Sequence, residues 1–412
     1  MITTINNKHK KLNFSSEREQ SQACLNSAEH EKNQGRKVLN VPNLRFKEFQ
    51  GEWEKTKFGD IAVVVGGGTP DTNTSQYWNG KIQWFTPSEI GRNKYVYNSV
   101  RTISEEGLNK SSAKLLPTGT ILLSSRATVG ECSINKKECT TNQGFQSLIP
   151  KENISNEFVY YLIQTKRKDL IRKSCGSTFL EISANEVRKI VVSIPTIKEQ
   201  DKIAKLLSLL DERIATQNKI IEDLKRLKSA ISKKLLCNDK WTTYKIQDIA
   251  EIGRGRVISS VEIDRQKNPL YPVYSSQTSN NGIMGYLDNY MFDGEYITWT
   301  TDGANAGTVF YRKGKFNCTN VCGTLKIQPK FDCYFVSLVL QQATQKYVSS
   351  NLANPKLMNN TMASIKIRMP NIETQKQLSK VFQTLDSCLL LHQRTCKMYL
   401  SEKQYLLCQM FI

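Results

Sequence analysis

Between Glu199 and Leu236 the chain contains neither glycine nor proline, and its apolar side chains recur in alternating steps of three and four residues. Ile203, Leu207, Leu210, Ile214, Ile221, Leu224, Ile231 and Leu235 make one heptad seam, interrupted only at Gln217 and Lys228. At a rise of 1.5 Å per residue such a helix is roughly 55–60 Å long. One apolar stripe on so long a helix requires a partner helix to cover it.

The chain supplies that partner itself. Laying Pro195 on Pro370, a shift of 175 residues, places Gln200 on Gln375, Ile203 on Leu378, Leu207 on Phe382, Leu210 on Leu385, Asp211 on Asp386 and Ile214 on Leu389. The same shift puts Gln217 on His392 and Lys228 on Lys403, so both copies break the seam at the same two places. A polar residue at a seam position lowers stability but selects register, and the pattern predicts one antiparallel coiled coil of the two helices. Two amphipathic helices packed on separate domains would be the plainer arrangement.

The duplication extends beyond the helices. KWTTYKIQDIAEIGRGR repeats EWEKTKFGDIAVVVGGG, with Trp53 on Trp241, Asp60 on Asp248 and Ile61 on Ile249. TILLSSRATVGECS faces YITWTTDGANAGTVF, TTNQGFQSLIP faces CTNVCGTLKIQP, and the apolar stretch EFVYYLIQT faces YFVSLVLQQ ahead of each proline. Short β-type runs at 61–65, 81–86, 120–125 and 131–135, followed by helical stretches near 155–173 and 183–189, predict an α+β domain. The predicted fold class is thus α+β, a tandem duplication of two such domains separated by two long antiparallel helices forming a coiled coil. Its predicted segments are a polar, disordered N-terminal extension at 1–40, a first domain at 41–195, a central long helix at 196–237, a second domain at 238–370 and a C-terminal long helix at 371–412.

Framework and loops diverge differently between the halves. GGGTPDTNTSQYW stands against GRGRVISSVE and SSRATVG against TTDGANAG, so one scaffold carries two sets of loops. Two scaffolds with different loops suit the reading of two different targets.

Several chemistries find no support. Of three histidines, His9 and His30 lie in the polar extension and His392 occupies a seam position, which argues against a His-based triad or metal site. No phosphate-binding loop ending in Gly-Lys-Ser/Thr occurs, and GGGTP at 66–70 lacks dinucleotide spacing, although it could cradle a phosphate. Eleven cysteines without a paired framework suit reduced thiols. Cys318 and Cys322, with Cys333 further on, lack the remaining ligands of a zinc site. No apolar run approaches a membrane span, so the expectation is a soluble, cytoplasmic protein without catalytic or metal residues.

What remains is binding. The net charge is +20, of which +7 falls in 41–198 and +5 in 237–370, so basic globular segments point to a polyanion. Their loops mix basic with amide and hydroxyl side chains. In the first half these are Arg92, Asn93 and Lys94, then Ser124, Ser125 and Arg126, then Thr141, Asn142 and Gln143, then Ser177 and Thr178. In the second they are Arg254 and Arg256, then Ser275, Ser276 and Gln277, then Thr301 and Asn305, then Thr319 and Asn320, and finally Asn354. Arginine can engage both acceptors of guanine, Asn and Gln both edge atoms of adenine, and hydroxyls the phosphates. Recurrence of such loops at equivalent places in two basic domains points to double-stranded DNA. A coiled-coil interaction scaffold whose basic domains bind RNA or acidic proteins is the alternative.

The opening VPNLRFKEFQGEW, the stretch from GGGTP to YWNGKIQWFT, IPTIKEQDKIAKLLSLLDERI and the ending YLLCQMFI, together with the duplicated architecture, resemble the specificity subunit of Type I restriction-modification systems over roughly residues 41–412. The resemblance implies a non-catalytic subunit, each domain of which reads one half of a bipartite DNA site. It implies helices that set the unread gap and dock two methyltransferase subunits, and motor-nuclease restriction subunits that join for cleavage. It assigns no cofactor to this chain: S-adenosylmethionine, ATP and Mg are expected in the partner subunits. The extension at 1–40 departs from the family, whose members usually begin close to VPNLRF.

Overall fold

The computed structural model describes residues 39–176, 180–236, 239–349 and 354–412. The predicted extension therefore lies outside the described residues as far as position 38. Its last residue does not fit that expectation: Asn40 donates from Nδ2 to the Trp53 carbonyl at 2.6 Å and accepts at Oδ1 from Ser193 Oγ at 3.2 Å. Composition hid this because the partners are distant in sequence.

In the first half of the chain the strands are β1 (Glu54–Lys57), β2 (Ala62–Gly66), β3 (Trp78–Phe85), β4 (Tyr95–Val96), β5 (Arg101–Ile103), β6 (Ile121–Leu123), β7 (Cys132–Asn135), β8 (Cys139–Thr141), β9 (Gln146–Pro150) and β10 (Val191–Ile194). They form a sheet of order β2-β9-β6-β7-β4, a second of order β5-β3-β8, and the pair β1-β10. Helix α1 (Asn156–Thr165) buries Phe158 to Ile163 without interruption, so it reads as an apolar run rather than a stripe. Helix α2 (Ile197–Leu235) follows β10.

The second half repeats this plan with β11 (Thr242–Lys245), β12 (Ala250–Arg254), β13 (Tyr271–Tyr274), β14 (Ile283–Leu287), β15 (Glu295–Thr300), β16 (Val309–Lys313), β17 (Asn317–Cys318), β18 (Cys322–Ile327) and β19 (Lys366–Met369). Sheet β12-β18-β15-β16 matches β2-β9-β6-β7, sheet β14-β13-β17 matches β5-β3-β8, and β11-β19 matches β1-β10. The parallel pairing of β3 with β8 recurs as β13 with β17, whereas that of β4 with β7 has no counterpart. Helix α3 (Cys333–Ala343) buries Cys333 to Leu340, and α4 (Ile372–Gln409) follows β19.

Both long helices are launched by the same device. Gln200, 1% exposed, donates from Nε2 to the Pro195 carbonyl at 2.9 Å and accepts from the Ser155 amide at 3.0 Å. Gln375, also 1% exposed, donates to Pro370 at 2.8 Å and accepts from the Asp332 amide at 3.0 Å. Each glutamine satisfies the carbonyl at the strand-to-helix corner and ties down the residue that opens α1 or α3.

The chain divides into two compact units, and the division cuts both long helices: one unit holds the chain up to Ala215 with Cys396–Ile412, the other Thr216–Thr395. Each α+β domain thus packs on half of α2 and half of α4. In the first unit Ile203, Ala204 and Leu207 share a core with α1 and with Leu407, Met410 and Phe411. Here Glu199, 1% exposed, takes two hydrogen bonds of 2.8 Å from Arg45 and one of 3.3 Å from Trp53 Nε1. In the second unit Phe382 joins the core of α3, with Leu236 buried and Ile231, Leu378 and Leu385 packed at its edge.

Within each unit the helices are antiparallel. Asp211 meets Lys403 in the first, while Gln217 meets His392 and Lys228 meets Asp386 in the second, so α4 numbers fall as α2 numbers rise. Among the seam residues Ile203, Leu207, Leu210 and Phe382 are buried, whereas Ile214, Ile221, Leu224, Leu385 and Leu389 are half-buried. One seam expectation is corrected: Leu235 is 37% exposed and Leu236 is the buried residue, because the helix ends at Leu235 and the heptad phase ends with it.

Candidate nucleic-acid interface

The loops that leave β2, β3, β6 and β8 are drawn together in the first unit by hydrogen bonds between neighbours. Gly68 N donates to Thr141 O at 2.8 Å, Asn142 N to Phe85 O at 3.0 Å, and Ser125 N to Gly144 O at 2.8 Å. Thr69 Oγ1 donates to Gln143 Oε1 at 2.5 Å. The segment before β10 closes the cluster: Ile182 N donates to Ser125 O at 3.1 Å, and Arg126 bridges Glu181.

Glycine is required where two of these strands' ends cross. A Cβ on Gly67 would lie 2.0 Å from Asn142 O and 2.4 Å from Thr141 O, contacts no side chain could accept. Gly67 is therefore packed against the chain's own backbone, as a tight loop requires.

The second unit builds the same cluster from different residues. Gly255 N donates to Cys322 O at 3.1 Å, Thr301 N to Val321 O at 2.9 Å, Thr319 N to Tyr274 O at 2.9 Å and Leu357 N to Thr301 O at 2.9 Å. Asn305 Nδ2 donates to Ser276 O at 3.2 Å, and Gln277 Nε2 to Ile283 O. A Cβ on Gly255 would lie 2.1 Å from Cys318 O, so this glycine does the work of Gly67.

The structure sorts the sequence-predicted residues by accessibility. Exposed on the loops are Arg92, Asn93, Arg126, Gln143, Arg254, Arg256, Asn320 and Asn354, while Asn142, Ser275, Ser276, Gln277 and Asn305 are half-buried. Ser124, Ser125, Thr141, Thr301 and Thr319 are buried, between 0% and 5% exposed, and belong to the framework of the loops rather than to their exposed faces. Ser124 Oγ donates to Arg126 O at 2.9 Å, and Thr301 Oγ1 accepts from Arg254 Nη2 at 3.0 Å. Ser177 and Thr178 lie outside the described residues.

Lys94 is corrected as well. Its ammonium donates to Glu157 at 3.0 Å, to Tyr161 OH at 3.3 Å and to Ser208 Oγ of α2 at 3.0 Å, and it faces the helices rather than a nucleic acid. Burial pulls its pKa down, against the opposing pull of Glu157. Sequence alone placed it beside Arg92 and Asn93 because its partners, Glu157, Tyr161 and Ser208, are distant along the chain.

Two acidic partners escaped the sequence reading. Glu181 holds Arg126 at 2.8 Å, and Glu262 accepts from Arg256 Nη1 at 2.9 Å. The hydrogen bond from Arg256 holds the Glu262 carboxyl below its ordinary range, and the same bond raises the guanidinium. These exposed pairs orient the arginines at little energetic gain. Arg312, 3% exposed, stacks on Tyr274 at 3.5 Å beneath the loop that follows β13 and donates from Nε to Thr298 Oγ1 at 3.2 Å. Among the described residues no cluster of His, Cys, Asp or Glu is arranged to hold a metal ion, and no helix is long and apolar enough to cross a membrane.

Two copies of one α+β domain, each with five loops gathered at the ends of matching strands and each packed on long paired helices, define a duplicated recognition architecture. Residues 50–226 and 238–397 match the family described as the Type I restriction modification DNA specificity domain, and the chain belongs to that family of type I specificity subunits. The Type I restriction enzyme MjaIX specificity subunit of Methanocaldococcus jannaschii is 39% identical over 180 residues, 43% of this chain and 42% of that protein. S.MpnORF201P of Mycoplasma pneumoniae, named as a type I specificity subunit, is 39% identical over 197 residues, 47% of this chain and 82% of that protein. The match thus spans less than half the length of the archaeal relative. The crystal structure of the S subunit of a type I restriction-modification system from M. genitalium superposes with a TM-score of 0.64 at 17% identity, over 90% of this chain and 99% of that one, which establishes a shared fold.

Proposed function

We propose that this chain reads a bipartite, gapped DNA sequence, one half-site through the loop cluster of each unit, and directs a type I methyltransferase and restriction complex to it. The observation that carries the reading is the pair of matching loop clusters. Apart from β4, which has no counterpart, their frames match, Gly67 with Gly255 included, while the exposed side chains differ, with Gln143 and Arg126 in one and Arg254, Asn320 and Asn354 in the other. Lysine and arginine supply salt-dependent attraction to phosphates and a minority of side chains the discrimination of bases. Two unlike clusters imply an asymmetric site.

In this reading α2 and α4 fix the number of unread base pairs. They also offer docking surface: Leu390 and Leu391 in the second unit are 47% and 62% exposed, and Met398 and Tyr405 in the first are 69% and 58% exposed. Apolar side chains in that number on one helix suit partner subunits. Those partners would be two methyltransferase subunits, holding S-adenosylmethionine, and restriction subunits using ATP and Mg. This chain would contribute no catalytic group.

Exchange of residues 53–195 for those of a relative tests the proposal in the assembled methyltransferase. Sequencing of methylated adenines should then reveal one changed half-site, with the other half-site and the gap retained. Both half-sites moving together would overturn the modular reading, and absence of any gapped motif would favour a protein- or RNA-binding scaffold.

A further inference from the structure

Arg126 and Asp302 occupy matching positions after β6 and β15, where TILLSSR stands against YITWTTD. Each makes an antiparallel backbone bridge to the segment that closes its loop cluster, Arg126 with Glu181 and Asp302 with Lys356. The charges at both positions are reversed between the units. In the first, Arg126 Nε lies 2.8 Å from Glu181 Oε1. In the second, the link from Asp302 to Lys356 is through the main chain, and Asp302 Oδ1 is buried with no hydrogen-bond donor among the described residues.

A carboxylate oxygen without a donor is costly, and a negative group on a DNA-facing loop also repels phosphate. A donor arriving from outside removes the first penalty and offsets the second. The frame around Asp302 is tied down, since Thr301 N donates to Val321 O, Leu357 N to Thr301 O and Gly303 N to Pro355 O, at 2.9, 2.9 and 3.0 Å. Next to it Gly303 has a φ of +92°, and a Cβ there would meet nothing within 4 Å, so the loop turns into open space. Asp302 is only partly buried, and its terminal torsion is soft, so either oxygen can face that space.

We propose that Asp302 is a specificity-determining residue of the second unit, an acceptor for an exocyclic base amino group in the major groove, N4 of cytosine or N6 of adenine. Carboxylates accept from such groups and are repelled by the acceptor edges of guanine and thymine. The proposal rests on the loop clusters being the DNA faces. Matching positions of the two units then demand opposite base edges.

The test uses the complex of this chain with its methyltransferase subunits, as wild type, Asp302→Asn and Asp302→Ala, each selected against a random duplex library. In the wild type one position of one half-site should require cytosine or adenine, and which of them it is distinguishes the two amino donors. In Asp302→Ala that preference should fall by about tenfold or more, with a smaller fall in Asp302→Asn, which keeps an acceptor. The other half-site and the gap should stay unchanged, which also reports an intact fold. Should Asp302→Ala fail to assemble, the isosteric Asp302→Asn decides the matter. A gapped motif that neither variant alters at any position overturns the proposal while leaving DNA reading intact. A wild-type complex that enriches no gapped motif overturns the DNA reading itself and this proposal with it.

Discussion

Lys403 Nζ lies 2.7 Å from Asp211 Oδ1, and a shift of 175 residues turns this pair into Lys228 and Asp386, which are also in contact. In each unit a tyrosine of the short apolar helix completes the group: Tyr161 donates to Asp211 Oδ2 at 2.7 Å and Tyr334 to Asp386 Oδ2 at 2.5 Å. The lysines that interrupt the heptad are thus paired across the two helices, and the α+β domain is pinned to the same aspartate.

Removing that aspartate strands two donors at once. Asp211→Ala should destabilise the first unit by about 2 kcal/mol, whereas Lys403→Met, which restores an apolar seam residue, should stay within about 1 kcal/mol of wild type. Urea unfolding of both variants and of their combination, as a double-mutant cycle, measures the coupling. Additive effects would show that the pair contributes nothing as a pair.

Glu199 is among the most deeply buried charged groups of the first unit, and Arg45 neutralises it with two hydrogen bonds. Arg45→Ala leaves that carboxylate unpaired and should cost about 3 kcal/mol. Chemical denaturation of the full chain checks this, and an unchanged midpoint would count against the ion pair as an anchor of residues 39–53.

Acid should loosen the first unit through Glu157. Burial opposes its charge, but hydrogen bonds from Tyr95 and Lys94 outweigh burial and hold the carboxyl below its ordinary value of 4.5. A depressed folded pKa contributes stability that is fully present above the unfolded value and is lost as pH falls through the folded one. Melting temperatures should therefore drop below pH 4.5, and Glu157→Gln should flatten that acid limb while lowering stability at neutral pH.

Gly67→Ala and Gly255→Ala should each cost about 2–3 kcal/mol, because either methyl group would collide with backbone carbonyls that cannot retreat without opening the sheet. The loss should be local to one unit. Motif selection with each variant should weaken one half-site only, a different one in each case.

Thiol labelling should follow burial. Desolvation pushes Cys132, Cys139 and Cys333 up to about 12, while Cys175 and Cys408 are exposed. Iodoacetamide at mildly alkaline pH, read by peptide mass spectrometry, should modify Cys175 and Cys408 well before those three.

Much of this molecule was legible in one dimension. The duplication, the two α+β domains and the pair of long helices follow from heptad spacing, from the absence of helix breakers and from self-comparison of the halves, all local or periodic signals. The polar seam residues were visible too, since Gln217 matches His392 and Lys228 matches Lys403 in the repeat. Tertiary structure alone decided their partners. It also turned Lys94 towards α2, buried Ser124, Ser125, Thr141, Thr301 and Thr319 as loop framework, and moved the last seam contact from Leu235 to Leu236. It divided the chain within the helices rather than at their ends, because each domain buries its apolar helix against whichever halves of α2 and α4 pass beside it. A residue type states which contacts are affordable; only the approach of segments distant in sequence determines which polar group keeps its water and which must find a partner inside.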